Sequence, residues 1–248
     1  MPNTTKTALF IGGTSDIAKA TALMAAGAGW RIVLSGRDME TLDREAKNIA
    51  LRVPHAVVST KPLDILDTAS FAQFIEALGP CPGLIICAVG MLGKQSQAEI
   101  DPTHAETIIR TNFEGPTLLL GMFAEKMAAQ GSGTIVGISS VAGDRGRATN
   151  YIYGAAKAGF TAFLSGLRNR LVDKGVHVIT IKPGFVRTRM TDGMALPGPL
   201  TAEPEEVGQA ILRAVTKKHD VVYVRRIWRI IMSIIRCQPE FVFKRLKF

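Results

Sequence analysis

The stretch Thr7-Ala8-Leu9-Phe10-Ile11-Gly12-Gly13-Thr14-Ser15-Asp16-Ile17-Ala18 runs from an apolar pentad through paired glycines into an alanine-rich segment. A short apolar run bounded by glycine reads as a buried strand, and the continuation to residue 28 as a helix. The same alternation repeats outward from it. Apolar runs at residues 31–35, 56–60, 84–88, 134–139, 177–182 and 221–224 are separated by helix-length segments at 39–51, 68–78, 103–130, 151–174 and 204–216. Near-continuous apolar strands separated by helices imply a parallel sheet covered on both faces. Right-handed crossovers then give one doubly wound α/β sheet of seven strands. Pro116 is expected to kink the long segment 103–130.

The 248 residues are 47% hydrophobic and 21% charged, with 24 Gly and 12 Pro, a globular composition that excludes disordered and fibrous classes. Cys81, Cys87 and Cys237 are odd in number and lack a Cys-x-x-Cys spacing or a nearby His. A disulfide framework and a structural metal are therefore not expected. The first ten residues lack a charged segment followed by a long apolar one, so a cytoplasmic location is the expectation. The net charge of +9 is concentrated at one end: residues 225–248 carry seven cations against one acid, Glu240. A nucleic-acid surface would spread its basic charge over a folded face, so no nucleic-acid partner is expected. The chain divides into a body, 1–224, and a basic tail, 225–248, and the Pro- and Gly-containing segment 188–204 reads as a flap.

Glycines between a first strand and its helix let a backbone approach a pyrophosphate resting on the helix N-terminus. Here Gly12, Gly13, Thr14, Ser15, Asp16, Ile17 and Ala18 form an imperfect version, with Asp16 and Ala18 where glycines would be expected. The plainer reading is an ordinary turn with Asp16 as the helix cap. After the second strand, Ser35-Gly36-Arg37 places an arginine where an NAD-selective site has an acid. That favours NADP(H) over NAD(H), with a solvent-facing turn arginine as the alternative. Tyr153 and Lys157 stand at i and i+4, about 5–6 Å apart on one helix face, where a cation favours the phenolate. Neither Tyr151 nor Tyr223 has such a partner. Ser140, just past the fifth strand, is placed to hydrogen-bond a carbonyl that becomes an alkoxide.

These pieces together resemble the short-chain dehydrogenase/reductase family over nearly the whole chain. The resemblance implies a catalytic tetrad of Asn112, Ser140, Tyr153 and Lys157. Tyr153 would be the acid, Lys157 would lower its pKa and hold the nicotinamide ribose, and Asn112 would keep a water in the proton relay. A residue that bonds its own helix backbone is the alternative for Asn112. The resemblance also implies cofactor contacts at Asp64 and Ile65, at Ala88 and Gly90 within Cys87-Ala88-Val89-Gly90, and at Pro183, Gly184, Val186 and Thr188. Asp16 departs from the family's glycine. Members often assemble as homodimers or homotetramers.

Three features bear on the substrate. Arg145 and Arg147, between Ser140 and Tyr153, could clamp an anion, or form a solvated loop. Met190 and Met194 offer apolar contact from the flap. In the tail, Ile227, Ile230, Ile231, Ile234 and Ile235 form an apolar stripe flanked by Trp228 and Met232, with Arg229 and Arg236 opposite. Such a helix suits an anionic membrane surface, here the cytoplasmic face of the inner membrane, or else docks on the protein itself. Within the family the chain is similar to reductases of polyprenyl-phosphate keto sugars, through Gly12–Ile17, Val89–Gly93, Ala124–Met127, Arg187–Met190 and the basic tail. That implies reduction of the 2-keto sugar of a polyprenyl-phosphate pentose beside a flavin oxidase that makes the ketone. A ketoacyl, steroid or sphingoid reductase, and a non-catalytic nucleotide-binding scaffold, are the competing expectations.

Overall fold

A computed structural model describes residues 6–246. Seven strands, β1 (Thr7–Ile11), β2 (Arg31–Gly36), β3 (Val58–Pro62), β4 (Leu84–Cys87), β5 (Gly133–Ile138), β6 (Val176–Pro183) and β9 (Val221–Val224), form one parallel sheet in the order β3-β2-β1-β4-β5-β6-β9. Two short strands, β7 (Phe185–Val186) and β8 (Thr201–Ala202), pair outside it. The helices are α1 (Asp16–Gly27), α2 (Met39–Arg52), α3 (Phe71–Ala77), α4 (Gln95–Ala98), α5 (Pro102–Ile109), α6 (Gly115–Gln130), α7 (Tyr151–Leu171), α8 (Pro204–Lys217), α9 (Ile227–Cys237) and α10 (Glu240–Phe243).

Alternation along each strand divides the core between the two faces. Phe10, Leu34, Ile86, Val136 and Ile179 pack with α1, α2 and α8, whereas Leu9, Ile85, Ile135 and Val178 pack with α3, α6 and α7. The chain changes winding direction between β1 and β4, which opens a crevice at the carboxyl ends of the strands. A third, smaller cluster lies near that end. There α9 inserts Trp228 and Met232 against Val141, Phe185, Leu200 and Tyr223.

The expected kink in segment 103–130 falls earlier than Pro116. A π-helical turn spans Arg110–Glu114, between α5 and α6. Pro116 has no N–H to give the carbonyl four residues back, at Asn112, so the helical ladder opens there. The third strand also starts two residues later than the apolar run suggests.

Candidate active site

The phosphate loop leaves β1 through Gly12, whose φ of 83° is open to glycine and strained for other residues. A side chain there would also press on Val89. Gly12 and Gly13 donate to the Ser35 carbonyl at 3.0 and 2.8 Å, binding the turn to β2. Ser15, not Asp16, caps α1: its hydroxyl accepts from the Ala18 N–H at 3.1 Å. Asp16 is the first helical residue and Ile17 packs against the core. Among the described residues the backbone N–H groups of Thr14, Asp16 and Ile17 have no acceptor. Free N–H groups at a helix N-terminus fit the diphosphate of a dinucleotide.

At the end of β2, Arg37 is exposed and unpaired among the described residues. Asp38 is engaged elsewhere. It caps α2, accepting from the Thr41 N–H at 2.9 Å and the Thr41 hydroxyl at 2.6 Å, and these bonds hold its carboxyl below the usual range. Ser35 is buried and donates to the Phe10 carbonyl. The turn therefore offers a guanidinium and no free carboxylate, which fits a 2′-phosphate better than a bare ribose. Asp64 closes its own turn by accepting from the Leu66 N–H, and Ile65 is buried against α6 at Gly115.

Ser140, Tyr153 and Lys157 come together as their spacing predicts. Ser140 follows β5 and accepts from the Ala142 N–H at 3.1 Å, which fixes its hydroxyl. Its hydroxyl lies close enough to the Tyr153 phenol to favour the ionised form. Lys157 Nζ lies 5.8 Å from the centre of the Tyr153 ring and donates to the Ile138 carbonyl at 3.1 Å. The electrostatics differ from the expected lowering of the tyrosine. Burial pushes the Tyr153 phenol up to about 12, only partly offset by Ser140, and pushes Lys157 down to about 8. Enclosure disfavours both charged forms, and it outweighs the attraction between them.

Asn112 is fully buried in the π turn. Its amide donates to the Ile108 carbonyl at 2.8 Å and the Met91 carbonyl at 2.7 Å, while its oxygen accepts from the Met91 N–H at 3.2 Å. It bonds its own helix, as the plainer reading holds, and also fastens the loop after β4. A side chain at Gly90 would meet Asn112 Oδ1 at 3.3 Å, Lys157 Nζ at 3.5 Å and Met190 Cε at 3.6 Å. Gly90 thus lies beside both the lysine and Met190. Ala88 anchors the same loop by donating to the Ile11 carbonyl. Thr188 opens the flap in a reciprocal cap with Thr191, and Val186 lies in β7. Met194 stands exposed farther along the flap.

The arginine pair splits. Arg145 is not free to clamp an anion. Its Nη1 donates to the Ile235 and Gln238 carbonyls, both at 2.6 Å, its Nη2 pairs with Glu240 at 2.9 Å, and the guanidinium covers the Phe243 ring at 3.7 Å. It caps the C-terminus of α9 and holds the tail to the loop after Ser140. Among the described residues Arg147 Nε and Asn150 Oδ1 are buried without a partner, and burial pulls the Arg147 pKa down.

Four participants, Asp144, Lys182, Tyr223 and Trp228, carry no family motif. Asp144 pairs with Lys182 and accepts from the Tyr223 hydroxyl at 2.8 Å, both acidic and basic side chains being nearly buried. This pair locks the catalytic loop to β6 and β9. Its sequence signal is Lys182 itself, a cation directly after the buried Ile179 and Ile181 in the strand. Trp228 packs so closely on Gly184 that any side chain there would collide with the indole, and its Nε1 donates to the Leu200 carbonyl in the flap. Among the described residues no helix is long and apolar enough to cross a membrane.

Comparison with known proteins identifies the family and the fold. A family model described as short chain dehydrogenase matches residues 6–196. An uncharacterized oxidoreductase of Mycobacterium tuberculosis (strain ATCC 25618 / H37Rv) is 38% identical over 243 residues, 96% of each chain. A solved short chain dehydrogenase/reductase family protein superposes with a TM-score of 0.78 at 29% identity, covering 88% of this chain and 94% of its own. The fold is shared too by a short-chain dehydrogenase from Sphingobium yanoikuyae in complex with NADPH, with a TM-score of 0.80, 24% identity and coverage of 97% and 96%. By sequence, fold and the Ser140–Tyr153–Lys157 site, this chain belongs to the short chain dehydrogenase family and is an oxidoreductase.

Proposed function

We propose that the chain is an NADPH-preferring reductase of a ketone carried on a lipid phosphate, most specifically the 2-keto sugar of a polyprenyl-phosphate pentose. This would complete an epimerisation begun by a flavin oxidase, the half-reaction of decaprenylphosphoryl-2-keto-erythro-pentose reductase. Gly12 to Ile17, Arg37, Asp64, Ile65, Ala88, Gly90, Lys157, Pro183, Gly184, Val186 and Thr188 would hold the dinucleotide, which when bound supplies the hydride. Ser140 would hold the ketone oxygen by a hydrogen bond that strengthens as negative charge develops. Tyr153 Oη would deliver the proton to that oxygen. The phenol is protonated near neutral pH and so carries the proton that the reductive direction needs.

The observation that carries the lipid reading is the double-faced tail helix. One face of α9 lines the wall behind Val141, next to Ser140, with Trp228 and Met232. The other leaves Ile227, Ile230 and Ile234 exposed, joined by Phe241 and Leu246 beyond the helix. Arg226, Arg229, Arg236, Lys244 and Arg245 are exposed around it, with no acidic partner among the described residues. An apolar strip set among cations favours an anionic headgroup layer and would bring the cleft to the lipid surface. Lys247 and Phe248 lie outside the described residues. Since Arg145 is engaged with the tail, Arg147 is the remaining arginine of the loop for a phosphate.

The test is oxidation of NADPH and of NADH with a polyprenyl-phosphoryl 2-keto pentose, beside a panel of water-soluble ketones. Turnover confined to the lipid phosphate is the expected result. Turnover on ketoacyl, steroid or other small ketones alone would discard the lipid-phosphate reading and keep the reductase.

A further inference from the structure

One arginine joins the flap to the phosphate loop. Arg189 Nε donates to Asp16 Oδ1 at 3.0 Å and its backbone N–H donates to Asp16 Oδ2 at 2.8 Å. Its Nη2 donates to the Thr14 carbonyl. Asp16 and Thr14 are two of the three residues whose own N–H groups are without acceptors among the described residues. The guanidinium therefore rests on the rim of the place that suits a diphosphate. The next flap residue, Met190, borders Gly90, the glycine beside Lys157, at the other end of the crevice. Two consecutive residues thus span it from the phosphate loop to Gly90.

The charges make this more than a fastening. A carboxylate at the first turn of α1 opposes a second anion on the same loop, and Arg189 is the cation that cancels it. The side chain of Arg189 is 65% exposed and that of Asp16 24%, so the pair contributes little to stability and exchanges readily. A guanidinium fits carboxylate and phosphate oxygens alike. We infer that Arg189 is a diphosphate clamp kept in reserve by Asp16. In the free protein the pair latches the flap on the loop, and a bound dinucleotide takes the guanidinium over from the carboxylate. Flap closure and cofactor binding are thereby coupled. This rests on the reading of the crevice as a nicotinamide dinucleotide site.

The experiment titrates the full chain, Asp16→Asn, Arg189→Ala and the double variant with NADPH, following nicotinamide fluorescence. Hydrogen exchange across residues 188–204 is followed with and without NADPH. Both single variants break the same contact, yet the clamp requires effects of opposite sign. Arg189→Ala should weaken NADPH about tenfold or more. Asp16→Asn should tighten it severalfold, and by less when Arg189 is already alanine. NADPH should slow exchange in the flap of the parent protein and not in Arg189→Ala. A pair that only fastens the flap gives both variants the same sign, which overturns the clamp, as does unchanged NADPH affinity in Arg189→Ala. If the parent protein binds neither NADPH nor NADH, the dinucleotide site falls along with the clamp. Parent binding without an Arg189 effect removes the clamp alone.

Discussion

Arg37 and Arg145 both sit in connections leaving the carboxyl ends of parallel strands, and both look like anion partners in the sequence. In the folded chain they differ completely. Arg37 has no partner among the described residues, because Asp38, the acid next to it, is engaged with Thr41. Arg145 has its guanidinium engaged by Ile235, Gln238, Glu240 and Phe243. The competitor that leaves Arg37 free is adjacent in sequence and can be read there as a helix cap. The partners that occupy Arg145 lie 90 or more residues downstream, beyond any local pattern. An arginine near a strand end is a ligand candidate only once the carbonyls around it are accounted for.

The proposed proton donor sets the scale for testing that contrast. Tyr153→Phe should lower turnover by about 10²- to 10⁴-fold, the usual range for a positioned acid, with NADPH binding retained. Retained turnover would remove Tyr153 from the proton step. Next in size comes the tail that occupies Arg145. Trp228→Ala should destabilise by about 3–5 kcal/mol, since it empties a contact between Gly184, Val141 and the flap. Ile230→Ser, on the exposed face of the same helix, should stay within about 0.5 kcal/mol. Equal losses in thermal or denaturant unfolding would mean that the helix buries the wrong face.

The two arginines can then be separated directly. Arg37→Ala should weaken NADPH by roughly ten- to a hundredfold, leave NADH nearly unchanged and leave Tm in place, as expected for loss of a charge-assisted bond. Arg145→Ala should do the reverse, lowering stability by about 1–3 kcal/mol while the NADPH to NADH ratio holds. If Arg145→Ala instead changes only the affinity for an anionic ligand, the tail contacts are not what holds it.

The same contrast explains how far the sequence could be read. The parallel sheet, the helices on both its faces and the Tyr153–Lys157 pair follow from local periodicity and i to i+4 spacing, which need no distant partner. The tail helix is visible as an amphipath, but its buried face is not. Its apolar arc is broad enough that Trp228 and Met232 turn inward while Ile230 and Ile234 stay out. Only the shape of Gly184 and Val141 decides between those orientations. Asp16 and Arg189 lie 173 residues apart, so the sequence shows an odd acid in a phosphate loop without showing the cation that answers it. Ionisation was equally out of reach, because spacing reveals that Lys157 is beside Tyr153 and not that both are enclosed.

That enclosure predicts an effect read as a trend with pH. Lys157 is held at about 8 against an ordinary 10.5, so the folded chain binds this proton less tightly than the unfolded one. Below about pH 8 the lysine is charged in both states and the folded state carries the full desolvation penalty. As pH rises from about 8 toward 10.5, the folded chain sheds the proton first and the penalty is relieved. Lys157→Met removes the term altogether. Its Tm relative to the parent protein should therefore be most favourable near pH 7 and decline steadily toward pH 10. Methionine also leaves the Ile138 carbonyl without its Nζ donor, a loss that does not vary with pH. The trend, not the sign at any one pH, is thus the diagnostic quantity. A difference in Tm that stays flat from pH 7 to pH 10 would show that water reaches the ammonium. Burial would then no longer account for the raised pKa of the Tyr153 phenol either.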